Sequence, residues 1–138
     1  MRIDEVDGRV RDLIWTLIVG STESLRPYHP SLAKALVYIA HHVQEKISLP
    51  ELSSRACASE AHLRRLFREE LGLSPWHFLA LLRVERSKLL MMDRQLSITD
   101  VCFRSGFTNL RSFERTFKRW TGCTPKQYRM KLWQQRKR

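Results

Sequence analysis

The feature that most constrains this chain is an internal repeat with a period of about fifty residues. Ser59-x-x-x-Leu63-x-Arg65-Leu66-Phe67-Arg68 leads to Gly72-x-Ser74-Pro75-x-x-Phe78, and the same order returns as Asn109-x-x-x-Phe113-x-Arg115-Thr116-Phe117-Lys118, then Gly122-x-Thr124-Pro125-x-x-Tyr128. These pairs stand fifty positions apart, whereas Leu52-Ser53 and Val101-Cys102 upstream stand 49 apart. The second copy therefore holds one extra residue before its longer helix, and a turn at Ser105-Gly106-Phe107 is the expected place for it.

Each copy parses as a short helix, a tight turn and a longer helix. In the first, Ser48 opens a helix over 49–55 with Pro50 in its first turn, where the missing N–H costs nothing. Ala56-Cys57-Ala58 is the turn, Ser59 caps a helix to about Leu71, and Gly72 stops it by entering the left-handed conformation. In the second, Ser97 caps 98–104, Gly106 turns the chain, and Thr108 or Asn109 caps a helix ending at Gly122. Between the copies, Pro75 starts a helix running from Trp76 to about Met92, with Phe78, Leu79, Leu82, Leu89 and Leu90 available for packing. The expected fold is all-α: two helix-turn-helix subdomains joined by a long linker helix and preceded by a short N-terminal helical segment. That segment shows Ile3, Val6, Val10, Leu13, Ile14, Leu17 and Ile18 at helical spacing. Its apolar face is expected either to pack on its own domain or to seek a partner. The chain after it is expected to fold without residues 1–25.

Helical periodicity gives both longer helices the same orientation. Leu63, Leu66, Phe67 and Leu71 fall on one face of the first, opposite Ala61, Arg65 and Arg68 with Arg64 beside them. The second buries Phe113, Phe117 and Trp120 and presents Arg111, Arg115 and Lys118. An ordinary solvated face would mix acids and bases evenly, yet Glu60, Glu69 and Glu114 lie off the centre of each stripe, which favours a surface for phosphates and bases. Net charge points the same way. The chain carries +11 overall, and with residues 1–30 slightly acidic the excess belongs wholly to the rest, as a polyanion-binding domain requires.

Other chemistry lacks residues to perform it. Cys57, Cys102 and Cys123 have neither disulfide parity nor zinc spacing and read as small core residues. His41 and His42 are adjacent, so on a helix they diverge by ~100° and suit surface or cap roles. His62 lies on the first long helix, where phosphate contact and a plain flanking role are equally open. Trp15, Trp76, Trp120 and Trp133 are scattered and read as core. Paired carboxylates, a nucleophile elbow and a phosphate-cradling glycine loop are all missing, so an enzyme is not expected, nor a metal or cofactor. Acidic and basic residues interrupt the N-terminal apolar positions, and no apolar run nears the ~20 residues of a membrane span. A cytoplasmic protein with no membrane partner is expected.

Leu52, Ser59, Leu63-x-Arg65-x-Phe67, Gly72-x-Ser74-Pro75, Arg83 with Leu89-Leu90, Ser97-Ile98, Gly106-Phe107, Phe113-x-Arg115-x-Phe117-Lys118 and Gly122-x-Thr124-Pro125-x-x-Tyr128-Arg129 together resemble the DNA-binding domain of the AraC/XylS family of bacterial transcription regulators. The resemblance covers roughly residues 31–129. It implies an N-terminal extension over 1–30, helix-turn-helix units over about 50–71 and 98–121, and a basic tail over 130–138. The family usually carries alanine where this chain has Ser53, Ser87 and Cys102, so a core hydroxyl there needs a backbone carbonyl. Carried over position by position, base reading falls on Ala61, Arg64 and Arg65 in the first unit and on Leu110, Arg111, Ser112 and Arg115 in the second. Arg68, Lys118, Arg119 and Lys126 suit phosphate contacts. The implied function is a sequence-specific regulator, expected as an activator, that reads two successive major-groove segments of double-stranded DNA, with RNA polymerase as a further partner. A monomer on DNA is expected, a dimer through the N-terminal helix being the alternative. A nonspecific nucleic-acid binder and a protein-interaction module are the competing classes. Longer members place an effector domain before this region, so the chain resembles either a short single-domain member or part of a longer regulator.

Overall fold

The computed structural model describes residues 2, 5–20, 25 and 27–136. Ile3, from the N-terminal apolar series, lies outside them. Among the described residues there are eight α-helices and no strand: α1 (Gly8–Val19), α2 (Pro30–His42), α3 (Leu49–Ala56), α4 (Glu60–Leu71), α5 (Pro75–Leu90), α6 (Ile98–Arg104), α7 (Leu110–Thr121) and α8 (Pro125–Arg136). The chain divides within α5 into one compact unit of residues 7–82 and another of 83–138 together with 1–6. The all-α architecture with two helix-turn-helix units joined by a helix is as expected.

In the first unit α2 packs on α1, α3 and α4. Leu32, Leu36, Ile39, Leu52, Leu63, Phe67 and Phe78 make its fully buried centre, where the Phe67 and Phe78 rings meet edge to face at 5.9 Å. Helix α1 belongs to this core. Val10, Leu13, Ile14 and Leu17 are buried, so of the two expectations for this apolar face the structure shows packing within its own unit. The segment Tyr28-His29-Pro30 starts α2 and ties it to α4. The His29 imidazole caps α2 by accepting from the Ser31 N–H (3.1 Å), and the His29 N–H donates to the Glu70 carboxylate at the end of α4 (3.3 Å).

The second unit is built on aromatic contacts. Phe107, Phe113, Phe117 and Tyr128 form a chain of rings with successive centroids 5.0, 5.8 and 5.5 Å apart. Val84, Met91, Val101, Cys102 and Trp120 close the core around it. Residues beyond 129 continue α8 as far as Arg136. There the guanidinium of buried Arg129 lies 4.6 Å from the Trp133 ring centroid and donates to the Asp93 carbonyl (2.7 Å). Burial pushes the Arg129 guanidinium below its usual range, against the opposing pull of Asp93.

Several side chains depart from their expected places. Helix α5 ends at Leu90 rather than near Met92, and Leu89 is exposed and Leu90 half-buried, while Leu81 and Val84 are buried. A helix with apolar neighbours on more than one side loses the simple stripe from which the packing set was read. Trp15 and Trp76 are exposed, leaving Trp120 as the buried tryptophan of the series and Trp133 half-buried. Cys57 is exposed and Cys123 half-buried, so Cys102 alone of the cysteines is a core residue. The expected hydroxyl partners are present: Ser53 donates to the Pro50 carbonyl (3.0 Å) and Ser87 to the Val84 carbonyl (2.6 Å).

Candidate nucleic-acid interface

Each helix-turn-helix is set by its turn. In the first, the Ala58 N–H bonds back to the Ser53 carbonyl (3.1 Å) and the Cys57 N–H to the Ser54 carbonyl (3.2 Å), with Cys57 left-handed at φ 57°. In the second, the Phe107 N–H bonds to the Cys102 carbonyl (3.2 Å) and the Gly106 N–H to the Phe103 carbonyl (3.1 Å), with Gly106 at φ 109°. These are the same two bonds of a helix-ending turn displaced by 49 residues. From Ser59 and Asn109 onward the displacement is fifty, so the extra residue is Thr108. It lies just after the Ser105-Gly106-Phe107 turn that was expected to hold it, because the turn's hydrogen bonds fix that geometry and leave the following residue as the free place for an insertion.

The two longer helices start from equivalent caps. The Ser59 hydroxyl accepts from the His62 N–H (3.1 Å), and the Asn109 side chain accepts from the Ser112 N–H (2.7 Å), which decides for Asn109 over Thr108 as the cap. Gly72 and Gly122 end them at φ 73° and 85°. Helix α6 has the more complete start, with the Ser97 hydroxyl accepting from the Asp100 N–H and the Asp100 carboxylate from the Ser97 N–H, each at 3.0 Å. The Ser97 backbone N–H, and after it the Ser97 side chain, hold the Asp100 carboxyl below its ordinary value. On α5, Arg86 Nε donates to the Arg104 carbonyl at the end of α6 (3.1 Å), tying the first helix of the second motif to α5.

The sequence-derived site residues separate cleanly from the core. On α4, Ala61, Arg64, Arg65 and Arg68 are exposed, while Leu63, Leu66, Phe67 and Leu71 are buried. On α7, Leu110, Arg111, Arg115, Lys118 and Arg119 are exposed and Ser112 is half-buried, while Phe113, Phe117 and Trp120 are buried. Lys126 is exposed in the first turn of α8. Within each unit the exposed cations of the longer helix lie on the face opposite its buried apolar residues. The faces are not copies. At the fifty-residue offset Ala61 corresponds to Arg111, Arg64 to Glu114, Arg65 to Arg115 and Arg68 to Lys118.

Two residues that the sequence reading did not assign to base reading lie beside these cations. Glu114 is exposed at the helical position Arg64 holds in α4, and the fifty-residue alignment alone reveals it. His62 is half-buried, and its Nδ1 lies 2.8 Å from a terminal guanidinium nitrogen of Arg65. The His62 ring also meets His29 edge to face at 5.4 Å. The i,i+3 spacing of His62 and Arg65 was the available signal for the pair; the His29 contact has none, since it bridges separate elements. Among the described residues there is no metal-holding cluster of His, Cys, Asp and Glu, and no helix long and apolar enough to cross a membrane.

Comparison with known proteins converges on the same geometry. A family model described as a helix-turn-helix domain matches residues 52–131. Over 92 residues the chain is 46% identical to an uncharacterized HTH-type transcriptional regulator of Staphylococcus aureus (strain COL), in an alignment covering 67% of this chain and 12% of that protein. It therefore spans only a small part of that curated relative's length. The DNA-binding domain of AdpA, a global transcriptional factor solved in complex with a target DNA, superposes with a TM-score of 0.74 at 26% identity, covering 80% of this chain and 99% of that one. A transcriptional regulator from Chromobacterium violaceum, described among AraC-type DNA-binding domain-containing proteins, gives a TM-score of 0.68 at 26% identity over 73% of this chain and 90% of that one.

Proposed function

Because this chain belongs to the AraC/XylS family of helix-turn-helix transcription regulators, we propose that it binds a specific double-stranded DNA sequence as a monomer, reading two successive major-groove segments with α4 and α7. The observation that carries this reading is the pair of recognition helices with buried apolar faces and exposed cations at matched helical positions. Arginine grips guanine O6 and N7 bidentately, so Arg64, Arg65, Arg111 and Arg115 supply direct readout. Ala61 and Leu110 offer only apolar contact to a thymine methyl, and Ser112 a single hydroxyl. Glu114 adds an acceptor suited to cytosine N4. Arg68, Lys118, Arg119 and Lys126 neutralise phosphates and fix register. Since the faces of α4 and α7 differ at aligned positions that include Ala61/Arg111 and Arg64/Glu114, the preferred sequence is two unlike half-sites in tandem.

The complex of AdpA with its target DNA supports duplex DNA as the partner. At the level of the cell, the reading is a cytoplasmic activator that brings RNA polymerase to a promoter, without catalytic activity of its own. The domain division that goes with it is a DNA-binding region over 31–129, an extension over 1–30 and a basic tail over 130–138. Selecting duplexes from a random library and competing the winner against unrelated DNA tests the proposal. A specific regulator keeps a preference of at least ~10³ over random duplex. Equal affinity for all duplexes would leave a nonspecific binder, and no affinity for duplex would leave a protein-interaction module.

A further inference from the structure

We infer that His62 is the positioning residue of the first recognition helix, holding the Arg65 guanidinium in the orientation that reads its base. This rests on the base-reading role proposed for Arg65. Arginine has donors only, so the 2.8 Å contact between Arg65 and His62 Nδ1 requires a lone pair on Nδ1, with the ring proton on Nε2. The ring is held from both ends. The His62 backbone N–H donates to the Ser59 cap (3.1 Å), which seats His62 in the first turn of α4. Its imidazole rests edge to face on His29, itself fixed by capping α2 through Ser31 and by donating from its backbone to the Glu70 carboxylate. An acceptor held by its own helix cap and by the His29 ring thus restrains an exposed arginine before any ligand arrives.

The contact uses one of the five guanidinium N–H groups, leaving a pair for a guanine edge. Long exposed side chains lose rotamer freedom when they are fixed on a partner, and a side chain already restrained loses less. The second motif lacks this device. The position matching His62 is Ser112, which has no imidazole nitrogen to offer Arg115 as an acceptor. Of the aligned pair, Arg65 is thus restrained by an imidazole and Arg115 is not, and the discrimination attributable to His62 falls in the half-site of α4 alone.

The test separates the acceptor from the ring. His62→Phe keeps an aromatic ring against His29 but removes the acceptor, while His62→Asn places an amide oxygen where Nδ1 stood and removes the ring. Each full-length variant is titrated on the duplex selected by the parent protein and on single-base variants of it, with thermal unfolding alongside. His62→Phe is expected to lower discrimination at the Arg65 base pair roughly fivefold, the low end for one bidentate contact, and to leave the α7 half-site unchanged. His62→Asn is expected to retain discrimination. Should His62→Phe fold poorly, His62→Ala serves as the acceptor-free variant with the same expected loss. An acceptor-free protein with full discrimination, or an Asn variant that loses it as Phe does, overturns the inference. Arg65→Ala is the reference: if it shifts preference at no base pair, the base-reading role itself falls, and the positioning role falls with it.

Discussion

Cys57 adopts a left-handed backbone at φ 57°, the conformation that Gly106 supplies at the equivalent turn of the second motif. A side chain there costs ~1 kcal/mol or somewhat more through the clash of its Cβ with the backbone. Cys57→Gly is accordingly expected to stabilise the protein by up to ~1 kcal/mol, partly offset by the greater freedom of glycine in the unfolded chain, and thermal melting reads the difference. Gly106→Ala should do the reverse. On the proposed reading face, Arg115→Ala is expected to weaken specific binding by about 1 to 3 kcal/mol and relax preference at one position. Unchanged affinity and preference would remove α7 from the base-reading surface. The exposed arginines were legible from helical period and charge, because a wheel position decides exposure when the opposite face is strongly apolar. Cys57 was not legible as a strained, exposed residue, since only the turn's hydrogen bonds reveal which residue must go left-handed.

At the scale of elements, caps decide where helices begin. The reciprocal bonds of Ser97 and Asp100 are polar contacts at an exposed helix start, and the Asp100 carboxyl is held below its ordinary value of 3.8 mainly by the Ser97 backbone N–H. A group whose folded pKa is depressed contributes stability above its unfolded pKa and loses it as pH falls through the folded value. Asp100→Asn keeps an acceptor for the Ser97 N–H but drops the charge. The stability gap between parent and variant is therefore expected to be present above about pH 4 and to close below it, as read by denaturant melts across that range. A gap constant across that range would show that the charge contributes nothing to the cap. Helices α3, α4, α6 and α7 were all readable from Ser48, Ser59, Ser97, Asn109 and the terminal glycines, to within a residue or two. Helix α2 was not assigned, because it has no counterpart in the repeat and its cap is a histidine ring, outside the usual set of capping residues.

For the whole molecule, the placement of α1 changes what a truncation should do. Removing residues 1–25 strips Val10, Leu13, Ile14 and Leu17 from the first unit and uncovers the face of α2 on which α1 packs. The expected result is a loss of at least ~2 kcal/mol in unfolding free energy, in place of the near-neutral effect that charge and repeat suggest. A truncated protein that melts with the parent would show α1 to be dispensable. The net charge of +11 makes salt the second global handle. Binding should weaken linearly in log affinity against log salt, and Lys118→Ala should flatten that slope by about one on specific and random duplex alike. A mutant with an unaltered slope would mean that Lys118 meets no phosphate.

Local signals sufficed wherever a residue's fate depends on its own helix. The repeat, the caps, the buried stripes of α4 and α7 and the exposure of Arg64, Arg65, Arg111 and Arg115 all follow from 3.6-residue periodicity and the chemistry of helix ends. Tertiary packing decided the rest. It buried the apolar face of α1, chose Leu81 and Val84 over Leu89 and Leu90 on α5, continued α8 as far as Arg136, and set His29 against His62 behind Arg65. These contacts join residues far apart in the chain, and periodicity within one helix carries no information about which other helix will cover it.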